Sequence, residues 1–509
     1  MGGTRPVNRV AVSVLWSCRP CVSRRATQLL GVREGTYPSL LLAAALISAS
    51  LTFHTVSEPL GVRSLTTPAV TARVSAAPAP SGVVILSTPL RLVLAVSGEP
   101  GVAAQPATSV QPAASLVAGA DASLDSVRRM SGASLLAGLS RLTVSDISTF
   151  VAEFPGQVDS LLAVPPSATE VTGWWTGLDG TERSSLLAGA PRLVGNLDGI
   201  PFRERGRANA RYLGRSLAEV DRRLAGSLDD ASRDAATRER AILTQVQAAL
   251  RSTDGGPRRS LILLDTVAGG RAAIALGNPD TAAFVSYLVP GMNYGVESQI
   301  VNWTATAEAL YAEQRTVLAE RAASGRGAAA AGIAVVSWIG YEAPDLFSVG
   351  GLDHAVAGAD FLEKYSQGIR SDRARNQPFV SVFAHSYGST VALTALARGS
   401  FEVDALVLVG SPGSQIQSVD NLSVANGNVF VGKADWDPAV NSAFFGSDPG
   451  AESYGARPLG VSGARDRLTG TWFAGSLGHN AYFDRGSESL HNMALIGTDN
   501  ADLVTNGSE

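Results

Sequence analysis

The chain has 509 residues, 45% of them hydrophobic and 17% charged. That length calls for at least two structural units, and that composition excludes a chain disordered throughout. Its 41 basic and 45 acidic groups leave a net charge of -4, which provides neither a basic footprint for nucleic acid nor an acidic tail for a cationic partner.

Residues 1–38 carry arginine at 5, 9, 19, 24, 25 and 33 against one acid, Glu34, and an apolar run from Leu40 to Phe53 follows. A basic segment, an apolar run shorter than a bilayer span and then small residues give the order of a secretory signal. Residues 1–55 are therefore expected to be a signal or anchor segment that places the protein in the envelope or outside the cell; the alternative is a cytoplasmic tail. The two cysteines, Cys18 and Cys21, fall inside this segment with no strand before them, so neither a disulfide scaffold nor a cysteine-built zinc module is expected. Residues 56–120 are rich in Ala, Pro and Ser, and Pro78, Pro80, Pro89, Pro100, Pro106 and Pro112 break any helix. They read as a spacer.

From 121 to 258 the apolar period becomes helical, as in Ile242, Val246 and Leu250 behind the capping pair Asp229-Asp230. Trp174-Trp175 reads as a pair of core anchors, and Asp198-Gly-Ile-Pro201 as a turn. After Gly255-Gly-Pro257 short β-rich runs begin, at 261–264, 272–276, 283–289, 333–338, 379–384, 405–410 and 428–432. Helical stretches separate most of the later ones, at 296–323, 352–373 and 389–398. Such alternation over 259–509 predicts a mainly parallel sheet covered on both faces, with an antiparallel start where the first two runs lie close. In such a sheet the chemistry belongs just beyond the carboxyl ends of the strands.

The fifth run ends in Ala384-His-Ser386-Tyr-Gly388, and a helical stretch follows. Small residues two before and two after Ser386 permit a tight strand-to-helix turn that holds its hydroxyl out as a nucleophile. Ala474-Gly-Ser476-Leu-Gly478 fits the same pattern but has no helix after it. A nucleophilic serine needs a base, and the base an acid, in the chain order serine, acid, histidine. After the seventh run come Asp435 and Asp437, and spacing alone does not choose between them. Of the five histidines, His54 lies by the address segment, His354 starts a helix, His385 flanks Ser386 and His491 sits in a helical stretch. His479, in a Gly-rich loop after a strand-like Thr469–Ala474, is the base candidate. The oxyanion needs two N–H donors. Tyr387, next to the nucleophile, and Met292, beside Gly291 after the third run, are the candidates.

The segments Trp174-Trp175, Leu197-Asp-Gly-Ile-Pro201, Val289-Pro-Gly-Met292, Trp338-Ile-Gly-Tyr-Glu-Ala-Pro344, His385-Ser-Tyr-Gly-Ser389, Val409-Gly-Ser-Pro-Gly413, Asp437-Pro438 and Gly478-His-Asn-Ala-Tyr482 occur in one order. Together they resemble the α/β-hydrolase family catalogued as domain of unknown function 1023, found in high-GC Gram-positive bacteria. The resemblance runs from about 170 to 500 and implies an α/β-hydrolase fold behind a helical N-terminal region. The family's single Asp-Pro favours Asp437 over Asp435, as does the stiffening of Asp437 by Pro438.

Three functions compete on these grounds. The leading one is a serine ester hydrolase, with Ser386 as nucleophile, His479 as base and Asp437 as acid, acting through an acyl-enzyme on a small-molecule or lipid-like ester without cofactor or metal. An acyltransferase on the same residues and a non-catalytic envelope or binding protein are the alternatives.

Overall fold

In the computed structural model, residues 123–506 are described apart from 253, 268 and 326–330. The expected address segment and spacer, with Cys18, Cys21 and His54, lie outside the described residues. No helix among the described residues is long and apolar enough to cross a membrane.

All seven apolar runs form strands: β1 Arg259–Asp265, β2 Arg271–Gly277, β3 Phe284–Val289, β4 Ile333–Ile339, β5 Phe379–His385, β6 Ala405–Val409 and β7 Val429–Gly432. With the short β8, Arg457–Pro458, they make one sheet in the order β1-β2-β4-β3-β5-β6-β7-β8. β2 is antiparallel to β1 and β4, and every pairing from β4 to β8 is parallel. β4 is buried at every position, as a strand covered on both faces must be. Val335 packs on one face with Trp303, Leu310 and Met493, while Val336 packs on the other with Leu362 and Val391. This is the α/β-hydrolase arrangement that the sequence leads one to expect.

Seven short helices open the described chain: α1 Leu124–Val127, α2 Gly132–Ser140, α3 Val144–Glu153, α4 Pro155–Ala163, α5 Ala168–Gly177, α6 Gly180–Gly189 and α7 Pro191–Asn196. Capping boxes start two of them, Ser167 with Glu170 and Asp179 with Glu182. They share a core of their own, into which Trp175 and Phe150 are buried. Two longer helices, α8 Phe202–Ala225 and α9 Asp230–Ala249, join this region to β1 and to α10, Val296–Ala323. Asp229 caps α9 as expected, accepting from the Ser232 N–H.

The Leu197–Pro201 segment is a turn, and Gly199 (φ +96°) approaches the Ala168 carbonyl where no Cβ would fit. Arg205, buried, reaches Asp198 at 2.7 Å and the Gly195 carbonyl at 3.2 Å. The Asn196 side chain pairs with both the N–H and C=O of Leu264 at 2.9 and 3.0 Å, which blunts the exposed edge of β1. The N-terminal helices thus occupy the β1 end of the sheet.

Three further helices complete the sheet's cover: α11 Asp353–Asp372, α12 Tyr387–Leu396 and α13 Glu488–Gly497. α13 is buried at all its positions, and its polar residues Glu488, Ser489, His491 and Asn492 are buried on hydrogen-bond partners. The expected strand Thr469–Ala474 shortens to β10, Trp472–Ala474, paired with β9, Gly463–Arg465. Asp466 takes the N–H groups of Leu468 and Thr469 into a turn, and Gly470 at φ +74° keeps that stretch out of the ladder.

Candidate active site

β5 stands near the middle of the sheet, and the chain turns sharply from it into α12. Ser386 occupies that turn at φ 54°, ψ -130°, a strained conformation for a residue with a side chain. Small neighbours make it possible: a Cβ at Gly388 would lie 2.4 Å from the Pro290 carbonyl oxygen, and one at Gly291 would lie 2.5 Å from the Ser386 Cβ. Ser476 holds no comparable place; its buried hydroxyl pairs with that of Ser489 at 2.9 Å.

His479 Nε2 lies 2.8 Å from Ser386 Oγ, and His479 Nδ1 lies 2.8 Å from Asp437 Oδ1. All three residues are buried. Burial pushes the Asp437 carboxyl up, but hydrogen bonds from His479, Tyr482 and the Ala439 N–H outweigh it and hold the group below the ordinary carboxylate range. As a carboxylate it only accepts, so Nδ1 carries the proton and Nε2 is left to accept from the Ser386 hydroxyl. Asp435 is exposed and its side chain takes no part.

The candidate donors lie on either side of Ser386. Tyr387 opens α12, and Met292 follows the glycine that abuts the serine. Neither N–H donates to a backbone carbonyl among the described residues. The Met292 loop is held from the segment after β4, where Tyr341 donates to the Pro290 carbonyl at 2.8 Å and the Pro344 carbonyl accepts from the Asn293 N–H at 2.9 Å.

Sequence reasoning missed three contributors. The His385 Nε2–H donates to the His479 carbonyl at 2.7 Å; burial, and then the nearby His479, push this imidazole down to about 3, so it is neutral. Gly410, at φ +62°, leaves the space that His479 and Asp437 fill, since a Cβ there would stand 3.0 and 3.1 Å from them. Tyr482 donates to Asp437 Oδ2 at 2.6 Å. The signal for these two lay in the segments Val409–Gly413 and Gly478–Tyr482, in which no partner was assigned to either residue. Of the remaining histidines, His354 faces the Glu342 carbonyl and His491 is held by Glu313 and Asp466.

A cavity of about 550 Å³ lies between the N-terminal helices and α11, walled in part by Arg271, Trp338, Phe361 and Lys364. A second, of about 360 Å³, shares Arg271 and Phe361 with it. Neither is lined by Ser386, Asp437 or His479.

Residues 265–465 match the family model described as alpha/beta hydrolase. An uncharacterized protein of Mycobacterium bovis is 32% identical over 222 residues, which cover 43% of this chain and 80% of that protein. The chain belongs to the alpha/beta hydrolases. A longer uncharacterized protein of Mycobacterium tuberculosis is 28% identical over 411 residues, and this alpha/beta hydrolase spans 59% of its length. Among solved structures, an esterase of Pyrobaculum calidifontis is 13% identical with a TM-score of 0.30, covering 53% of this chain and 93% of that one. A dienelactone hydrolase of Anabaena variabilis is 12% identical with a TM-score of 0.29, covering 49% and 100%.

Proposed function

We propose that this alpha/beta hydrolase is a serine ester hydrolase. The observation that carries the reading is the unbroken hydrogen-bonded line from Ser386 Oγ through the His479 ring to Asp437, with 2.8 Å at each step. In the proposed reaction Ser386 Oγ attacks the ester carbonyl carbon as its proton passes to His479 Nε2. The oxyanion that forms is met by the N–H groups of Tyr387 and Met292. Collapse breaks the bond to the alcohol oxygen, which takes the proton from His479 and leaves as the alcohol. Water then attacks the acyl-enzyme by the same route, releasing the acid and restoring Ser386. Asp437 stays a carboxylate throughout and stabilises the imidazolium.

Two exposed apolar side chains close in sequence to this line are the ground for proposing an apolar acyl group. Trp436 and Leu477, neighbours of Asp437 and His479, are 87% and 65% exposed.

A fluorophosphonate probe and a panel of p-nitrophenyl esters of rising chain length test the proposal. The full chain is expected to take the label and turn over esters, and Ser386→Ala to do neither. A wild-type chain that neither labels nor turns over any ester overturns it.

A further inference from the structure

Asp437 has two carboxylate oxygens, and a rotating carboxylate would lose its grip on His479. Oδ1 accepts from His479 Nδ1 at 2.8 Å and from the Ala439 N–H at 2.9 Å. Oδ2 accepts from the Tyr482 hydroxyl at 2.6 Å, and Gly410 lies so close that a Cβ there would stand 3.1 Å from Oδ2. The direction of the phenol's hydrogen is settled by bookkeeping of donors. The Ala434 N–H donates to the Tyr482 oxygen at 2.9 Å, so the single phenolic hydrogen points to Asp437. Burial, and after it the charge of Asp437, raise the phenol's pKa, so Tyr482 is a neutral donor.

The ring is anchored. Tyr482 is fully buried, and its own carbonyl accepts from the Ser489 hydroxyl on α13. His479 and Tyr482 lie three residues apart in one segment, so the same stretch of chain grips Asp437 by one oxygen with the imidazole and by the other with the phenol.

We propose that Tyr482 is a positioning residue that acts through Asp437, fixing the carboxylate in the orientation His479 requires. The proposal rests on the serine-hydrolase reading for its kinetic consequence, while the geometry it invokes exists without substrate. Charge-assisted hydrogen bonds of this length are the strong ones, and losing one in a buried site costs about tenfold in rate when it is realised in the transition state.

The test is Tyr482→Phe in the full chain, alone and combined with Asp437→Asn. kcat is expected to fall about tenfold with KM within about twofold, and the acid limb of kcat/KM to move to higher pH, because the Asp437 carboxylate has lost a donor. In the Asp437→Asn background the same change is expected to add less than about twofold. An unchanged limb and kcat overturn the proposal, and so does a tenfold loss that persists without the Asp437 charge.

Should Tyr482→Phe not fold, trifluorotyrosine placed at 482 keeps the ring and strengthens the donor, and the limb is then expected to move to lower pH; no movement counts against the proposal. The low-field proton resonance of the His479 Nδ1–H separates the two readings. A chain inactive on all esters overturns the function, whereas a resonance that does not move in Tyr482→Phe overturns the role of Tyr482.

Discussion

The Gly478 N–H donates to the Asp435 carbonyl at 2.8 Å, so the loop that carries Asp437 and the loop that carries His479 are joined through main chain. Asp435 thereby contributes its backbone, and its carboxylate points to solvent. Asp437→Asn, which keeps the shape and removes the charge facing the imidazolium, is expected to lower ester turnover about 10⁴-fold. Asp435→Asn leaves the main-chain bond intact and is expected to cost tenfold or less. Measured on one ester with Ser386→Ala as the floor, the reverse ranking would sink the assignment of Asp437.

The sequence could not separate these two acids by spacing, and the reason is conformational. Trp436 sits at φ 62°, a left-handed conformation rare for a large side chain, and this turns Asp437 inward while Asp435 and the indole face out. Nothing local to Lys433–Pro438 announces that turn; it depends on the Ala434 N–H bonded to Tyr482 and on Gly478 bonded to Asp435. The strands, by contrast, were legible, because a parallel strand covered on both faces is an apolar run in the sequence itself. The Ser386 turn was legible because Ala384 and Gly388, the small residues it needs, flank the serine in the sequence itself. β8 and β9 were not, since two or three residues carry no period. The roles of His385 and Tyr482 depend on partners 94 and 45 residues away, beyond any local pattern.

Gly291 is expected to be intolerant of even one methyl group. A Cβ there would stand 2.5 Å from the Ser386 Cβ, 3.0 Å from its Oγ and 3.2 Å from the His385 carbonyl, and two of those three atoms belong to the nucleophile. Relief requires moving the Met292 N–H away from the place where the oxyanion forms. Gly291→Ala is expected to lower kcat about 10²-fold, the scale of losing one such donor, while circular dichroism and the unfolding midpoint stay near wild type. Full activity in a folded Gly291→Ala chain would remove the Met292 loop from the oxyanion site.

Trp436 and Leu477 are exposed apolar side chains close in sequence to Asp437 and His479 and do not fill the core, so truncating them tests substrate choice rather than folding. Trp436→Ala and Leu477→Ala are expected to leave kcat/KM for an acetyl ester within about threefold. For an octanoyl ester each is expected to lower it about tenfold, as loss of roughly 50 Å² of apolar contact implies. An equal loss on both esters would mean that these side chains serve the loop and not the acyl group.

His491 provides a stability device whose pH dependence can be worked out. Its Nδ1 lies 2.8 Å from Glu313 on α10 and its Nε2 3.0 Å from Asp466 after β9, while the Phe473 ring stacks on it at 4.2 Å. Carboxylates only accept, so both ring nitrogens carry protons and the residue is an imidazolium clamped between two acids. Burial lowers its pKa, but the bonds from Glu313 and Asp466 outweigh burial and raise it above the ordinary 6.5. A raised pKa of this kind contributes stability in full below 6.5 and loses it as pH climbs through the folded value. Burial likewise works against Asp466, but its bonds to Thr469 and His491 hold it below the ordinary 3.8, so its contribution is present above 3.8 and fades as pH falls through the folded value. The clamp is therefore strongest between those two ordinary values. His491→Gln keeps hydrogen-bonding capacity and removes the charge. The unfolding midpoint is expected to drop by several degrees more at pH 5.5 than at pH 9, since the bound proton contributes less stability once pH passes the ordinary 6.5 of the unfolded chain. A gap that is equal at both pH values, or wider at pH 9, would show that His491 is neutral in the folded chain.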